Sequence, residues 1–134
     1  MKRVILIAIM IFGALVFAGC GDSDDTVVIS ERFFAQEMQE VVFNHNQYLG
    51  RTIHLEGMFR TIPWEGIDRF LVMRYVEGCC GPEPFGFEVV LGDFSPFSHD
   101  AWVEVTGILA MVDGFLVLEV SAINELEVRG LELV

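Results

Sequence analysis

Apolar and polar residues alternate with a period of two over residues 51–60, where Ile53, Leu55, Gly57 and Phe59 share one side and Thr52, His54, Glu56, Met58 and Arg60 the other. This is the pattern of a strand with one face in a core. Gly57 has no side chain to pack and marks a place where that strand can coil sharply. Upstream the period changes. From Ser30, a helix N-cap by residue type, Phe34, Met38, Val41 and Val42 recur along one helical stripe that fades at Asn44-His45-Asn46. Downstream, the turn formers Pro63-Trp64-Glu65-Gly66 lead into residues 69–76, apolar on both sides and therefore a covered strand. Residues 78–84 break it, residues 85–91 alternate through Phe87, Val89 and Leu91, and residues 92–100 form a loop around Pro96. Residues 102–111 and 115–120 make a hairpin across Asp113-Gly114, and a last short strand covers 122–128.

One helix followed by about five strands, with no helices between them, predicts a mainly β domain: a small antiparallel barrel of oligonucleotide/oligosaccharide-binding (OB) type. Ile53, Leu55, Phe59, Val103 and Val105 are its expected inward residues. An open β-sandwich is the alternative.

The amino terminus follows other rules. Lys2 and Arg3 precede an apolar run over residues 4–18, shorter than the roughly 20 residues that span a bilayer. Phe17-Ala18-Gly19-Cys20 then has the form of a bacterial lipobox, with Phe in place of the usual Leu. Residues 1–19 are therefore expected to be a cleaved signal peptide and Cys20 a lipidated amino terminus, with an uncleaved anchor or an ordinary secretory signal as alternatives. Two acyl chains hold a domain firmly at a membrane, so the expected location is the extracytoplasmic face of a bacterial cell membrane. Residues 20–29, opening with Gly21-Asp22-Ser23-Asp24-Asp25, read as a flexible acidic tether, and 30–134 as one domain.

Charge narrows the partners. The chain carries −12 at neutral pH, and loses Lys2 and Arg3 with its signal. That balance repels phosphate backbones and anionic headgroups, excluding nucleic acid as an expected ligand and favouring cations, cationic proteins or neutral molecules. Acidity that only keeps an exported domain soluble explains the composition equally well.

Several motifs together are similar to the carboxy-terminal domain of the YcgQ-like proteins, a bacterial family. They are Tyr48-Leu49-Gly50-Arg51-Thr52-Ile53, Leu55-Glu56-Gly57-Met58-Phe59, Arg74-Tyr75 ahead of Cys79-Cys80, and Trp102-Val103-Glu104-Val105-Thr106-Gly107. The likeness covers most of residues 33–126. Arg51 stands where the family has Lys, and Cys79-Cys80-Gly81-Pro82-Glu83 where it has Cys-Cys-x-Ala-Asp. The amino-terminal membrane part of longer members is missing, and a lipid on Cys20 would serve the same placement. The resemblance implies an OB-like fold outside the cytoplasmic membrane, near a permease-type membrane protein, and supplies no activity.

Chemistry must then come from the residues. Cys79, Cys80 and Glu83, completed by His54, His99, His45 or Asp100, form a candidate Zn²⁺ set of thiolate, imidazole and carboxylate. Spacing weakens it, since adjacent strand residues face opposite ways and the paired Cys-x-x-Cys pattern is absent. A thiol-redox role is the second reading: neighbouring α-carbons about 3.8 Å apart would strain a disulfide that prefers about 4.4 to 6.8 Å. Burial of both cysteines as small hydrophobes is the third. His54 and His99 are expected at the surface, and no nucleophile–histidine arrangement marks an enzyme. Trp64, Phe85, Phe94 and Phe97 are expected in loops, closing the barrel or forming a contact surface.

Overall fold

The computed structural model describes residues 25–134; the signal segment, Cys20 and the first part of the acidic tether lie outside the described residues. The elements in chain order are β1 (Val27–Ile29), α1 (Phe34–Phe43), a 3-10 turn (His45–Gln47), β2 (Thr52–Trp64), β3 (Ile67–Gly78), β4 (Gly81–Val90), β5 (Trp102–Val112) and β6 (Phe115–Glu125). Among the described residues no helix is long and apolar enough to cross a membrane.

Closure of the sheet rests on β2, which is long enough to serve two neighbours. It pairs antiparallel with β5 from Thr52↔Ile108 to Met58↔Trp102, then with β3 from Met58↔Met73 to Trp64↔Ile67. β3 pairs with β4, β4 runs parallel to β6 at 88–90, and β6 returns to β5. The result is a closed five-stranded barrel of OB type with β1 added parallel to β2, which removes the sandwich alternative. The hand-over falls beside Gly57. A β-carbon there would lie 2.6 Å from the Met73 carbonyl oxygen, so only glycine lets β2 swing from one partner to the other.

Ile53, Leu55, Phe59, Val103 and Val105 all face the core, as the alternation predicts, and α1 adds Phe34, Met38 and Val41 to the same cluster. Fully burying an aliphatic or aromatic side chain of this size contributes about 1.5 to 3 kcal/mol. Phe97 joins them edge-on to Phe59 at 5.7 Å between ring centres.

Several local expectations change, among them the exposure of Met58, which is buried. The helix starts at Phe34, with Phe33 at its N-cap and no side-chain cap. Ser30 instead donates its N–H (2.6 Å) and hydroxyl (2.9 Å) to the Glu37 carboxylate, while Glu31 bonds Arg74 and the Leu131 N–H. Val27–Ile29, assigned to the tether, are paired in β1. The break at residues 78–84 shrinks to a tight turn at Cys79-Cys80, and Phe85 lies within β4. Pro82 and Pro84 fit in that strand because, two residues apart, both turn their missing N–H to its outer edge. Finally, β6 runs on through the expected gap near residue 121: Ser121 is an extra residue opposite Thr106/Gly107, a bulge that flips the alternation without ending the strand.

After β6 the chain folds back as a strap. Leu126 N–H donates to the Trp102 carbonyl, Tyr75 N–H to Glu132 O (2.7 Å), and Val134 N–H to Tyr75 O (2.9 Å). The strap takes the edge of β3 that β2 vacates, and Met58, Met73 and Trp102 form a small second core there, packed by Tyr75 and Leu126.

Candidate functional site

Phe70, Val72, Phe87 and Val89 point into or against the core, so Arg69, just before Phe70, and Glu88, between Phe87 and Val89, occupy the outer face of β3 and β4. Over that face lies a cleft of about 520 Å³, bounded by the β2–β3 turn, the start of the β4–β5 loop and the β5–β6 turn. Trp64, Ile67, Val90, Phe94, Val112 and Phe115 give it apolar walls, each of them exposed. At its floor Arg69 donates Nε–H to Glu88 Oε1 (2.8 Å) and a second N–H to Oε2. The Arg69 guanidinium lies 4.8 Å from the centre of the Phe115 ring and 5.9 Å from that of Trp64. Hydrogen bonding by Glu88 pushes the Arg69 pKa above its ordinary value, and the two side chains form an ion pair. The carboxylates Glu65, Asp68 and Asp113 then leave the cleft negative. Phe94 lies in a loop as expected, whereas Trp64 is the last residue of β2; both line the cleft, and Arg69, Glu88 and Phe115 were not legible as site residues. One signal was present: an aromatic residue adjoins the turn glycine region in both Trp64-Glu65-Gly66 and Asp113-Gly114-Phe115.

Cys79 and Cys80 sit at the opposite end of β3, at the tip of its hairpin with β4. Gly78 pairs with Gly81, leaving the two cysteines as the connection, and Gly81 adopts φ +125°, a conformation that glycine tolerates best. Both thiols are exposed and free, with sulfurs 3.4 Å apart; they are not buried hydrophobes. Glu83 lies against Gly78, where a β-carbon would meet its side chain.

The histidines are elsewhere. His54 Nδ1 is 2.9 Å from Thr106 Oγ1 on the outer faces of β2 and β5. His99 Nε2 accepts from Arg60 (2.8 Å), which also pairs with Asp100 (2.9 Å). His45 Nδ1 lies 3.0 Å from the Val42 carbonyl oxygen. Among the described residues the group of three His, Cys, Asp or Glu donors within 4.8 Å of one another is His54, Glu56 and Glu104. The sequence set of Cys79, Cys80, Glu83, His54 and His99 is therefore divided among three places.

One further polar centre is structural. Arg74 is 1 % exposed, donates to Glu31 Oε2 (2.7 Å), to the Leu131 carbonyl (2.9 Å) and to the Glu56 carbonyl (2.9 Å), and lies 4.7 Å from the centre of the Trp102 ring. It ties β2, the segment before α1 and the C-terminal strap together. The Arg74 hydrogen bond, then the Leu131 N–H, hold the Glu31 carboxyl below its ordinary pKa.

The fold and its open cleft define a small OB-type barrel with a lined surface groove. The chain belongs to the DUF1980 C-terminal domain family, whose model matches residues 18–129, bearing out the likeness to YcgQ-like proteins. No curated protein matches it. Membership brings no activity with it.

Proposed function

We propose that the protein is a lipid-anchored binding module on the extracytoplasmic face of a bacterial membrane, and that its cleft holds a small cationic molecule with an apolar body. The observation that carries this reading is the cleft over β3 and β4. Its volume of about 520 Å³ falls within the range of ligand pockets, about 300 to 1,000 Å³. Aromatic faces attract cations most strongly where water is partly excluded; the Trp64 and Phe115 rings already take the Arg69 guanidinium on one face, and with Phe94 they line the cleft beside Glu65, Asp68 and Asp113. Arg69 does not oppose a cation because Glu88 compensates it. The wider charge acts in the same direction: Arg51, Arg60, Arg74 and Arg129 are also in ion pairs, so carboxylates dominate the free surface. The lipobox supports attachment through Cys20, and the family resemblance supports a permease-type membrane protein as neighbour.

Trp64 and Trp102 are the chain's two tryptophans, and only Trp64 is exposed, which makes fluorescence a local reporter. Titration with benzyltrimethylammonium should give saturable quenching, weakened by Asp68→Asn and by Phe115→Ala, while benzenesulfonate of similar shape should give none. Equal response to both, or preference for the anion, overturns the ligand assignment. Mass spectrometry of the mature amino terminus tests the anchor: a lipid-modified Cys20 is expected, and a mature chain retaining Met1 refutes it.

A further inference from the structure

The objection to a metal at Cys79-Cys80 is that neighbours in a strand point to opposite faces. The hairpin removes it. With the two cysteines forming the turn itself, both sulfurs emerge together, 3.4 Å apart and exposed. A tetrahedral ion bonded to thiolates at about 2.3 Å needs sulfurs about 3.8 Å apart, so a few tenths of an ångström of side-chain rotation completes a chelate. The frame that presents them is fixed: Gly78 and Gly81 pair beneath the turn, and the strands continue in register from Glu77↔Pro82 to Phe70↔Val89.

We propose that the Cys79-Cys80 turn is an open two-thiolate site for a soft, thiophilic metal ion. Binding breaks two S–H bonds, forms two metal–sulfur bonds and releases two protons, with no change of oxidation state. The site differs from a structural zinc centre, which closes four protein ligands around the ion. Among the described residues no third donor is grouped with both sulfurs: Glu83 lies over Gly78, near the turn, while His54 and His99 bond Thr106 and Arg60. Half of the coordination shell is therefore left to water or to an incoming ligand, the condition for taking up and passing on an ion.

Cd²⁺ alone is the probe, because thiolate-to-cadmium charge transfer gives an ultraviolet band that carboxylates and imidazole do not. In the full chain bearing Cys20→Ser, so that Cys79 and Cys80 are its only thiols, reduced protein should develop this band to saturation at about one ion per chain, with affinity rising with pH. Cys79→Ser and Cys80→Ser should each weaken binding by about 100-fold or more, since one sulfur no longer holds the ion at high effective concentration for the other. Glu83→Gln should weaken it less, and His54→Ala should leave it unchanged. Both serine variants alter an exposed turn, and an unchanged circular dichroism spectrum checks their folding. Absence of the band in reduced protein overturns the proposal. So does a disulfide between Cys79 and Cys80 in protein that ignores Cd²⁺, which assigns the turn to thiol redox chemistry.

Discussion

Arg74→Met separates what the buried guanidinium fills from what it bonds. Methionine retains much of the apolar volume but donates to nothing, stranding the carbonyls of Glu56 and Leu131. Hydrogen bonds from charged donors contribute about 1.5 to 3 kcal/mol, and a stranded buried acceptor costs about 1 to 3 kcal/mol. The Glu31 carboxylate is not stranded to the same degree: its side chain is 42 % exposed and returns to water, which removes most of the penalty of breaking a fully buried ion pair. Loss of the contact with Trp102 adds about 1 kcal/mol. The expected destabilisation is about 3 kcal/mol, a large part of the 5 to 15 kcal/mol that holds a domain folded. Urea unfolding followed by circular dichroism should show the midpoint falling with an unchanged slope. Arg74→Ala should fall further by the cavity, and Glu31→Gln by only about 1 kcal/mol. If Arg74→Met is as stable as the parent, the stitching of β2, the strap and the pre-helical segment contributes nothing net and the reasoning fails.

The same pair sets a pH dependence. Because the folded Glu31 pKa is depressed below its ordinary 4.5, its contribution is complete above that value and is lost as pH falls through the folded one; urea midpoints of parent and Glu31→Gln should converge on acidification, and a constant gap would refute this. Gly57→Ala places a β-carbon 2.6 Å from the Met73 carbonyl oxygen, and a thermal melt should show a loss of more than about 2 kcal/mol. Cys20→Ala should move the protein from the detergent phase to the aqueous phase in detergent partitioning, and unchanged partitioning would remove the lipid from the account.

The barrel was legible because its information is local. Ile53, Leu55 and Phe59 declare an inner face by spacing alone, Gly57 announces the bend, and Asp113-Gly114 the last hairpin. Ser121 shows where that reading stops: one inserted residue reverses the alternation and imitates a strand end, though the ladder continues. The short β1 lies in a segment whose acidic neighbours resemble a tether, and three residues are too few to show a period. Arg74 left a signal of another kind, a lone cation in the apolar run Leu71-Val72-Met73-Arg74-Tyr75-Val76, and the structure buries it. Of the cleft only the aromatic residues Trp64 and Phe94 could be read, since its walls come from strand ends and turns that only barrel closure brings together.

Two candidate sites share one strand and are nonetheless independent. Arg69 in the cleft and Cys79 at the turn lie at opposite ends of β3, about 30 Å apart along a strand rising about 3.3 Å per residue. Charge on an ion at the thiols is screened over about 8 Å at physiological ionic strength, so it does not reach the cleft directly. Between them stands Arg74, whose bonds tie the middle of β3 to β2, Glu31 and the strap. A rigid connector transmits little unless it has a second arrangement to adopt, and the hydrogen bonds around Arg74 favour one. The domain is thus a frame that carries an aromatic-walled cleft at one end of β3 and an exposed thiol pair at the other.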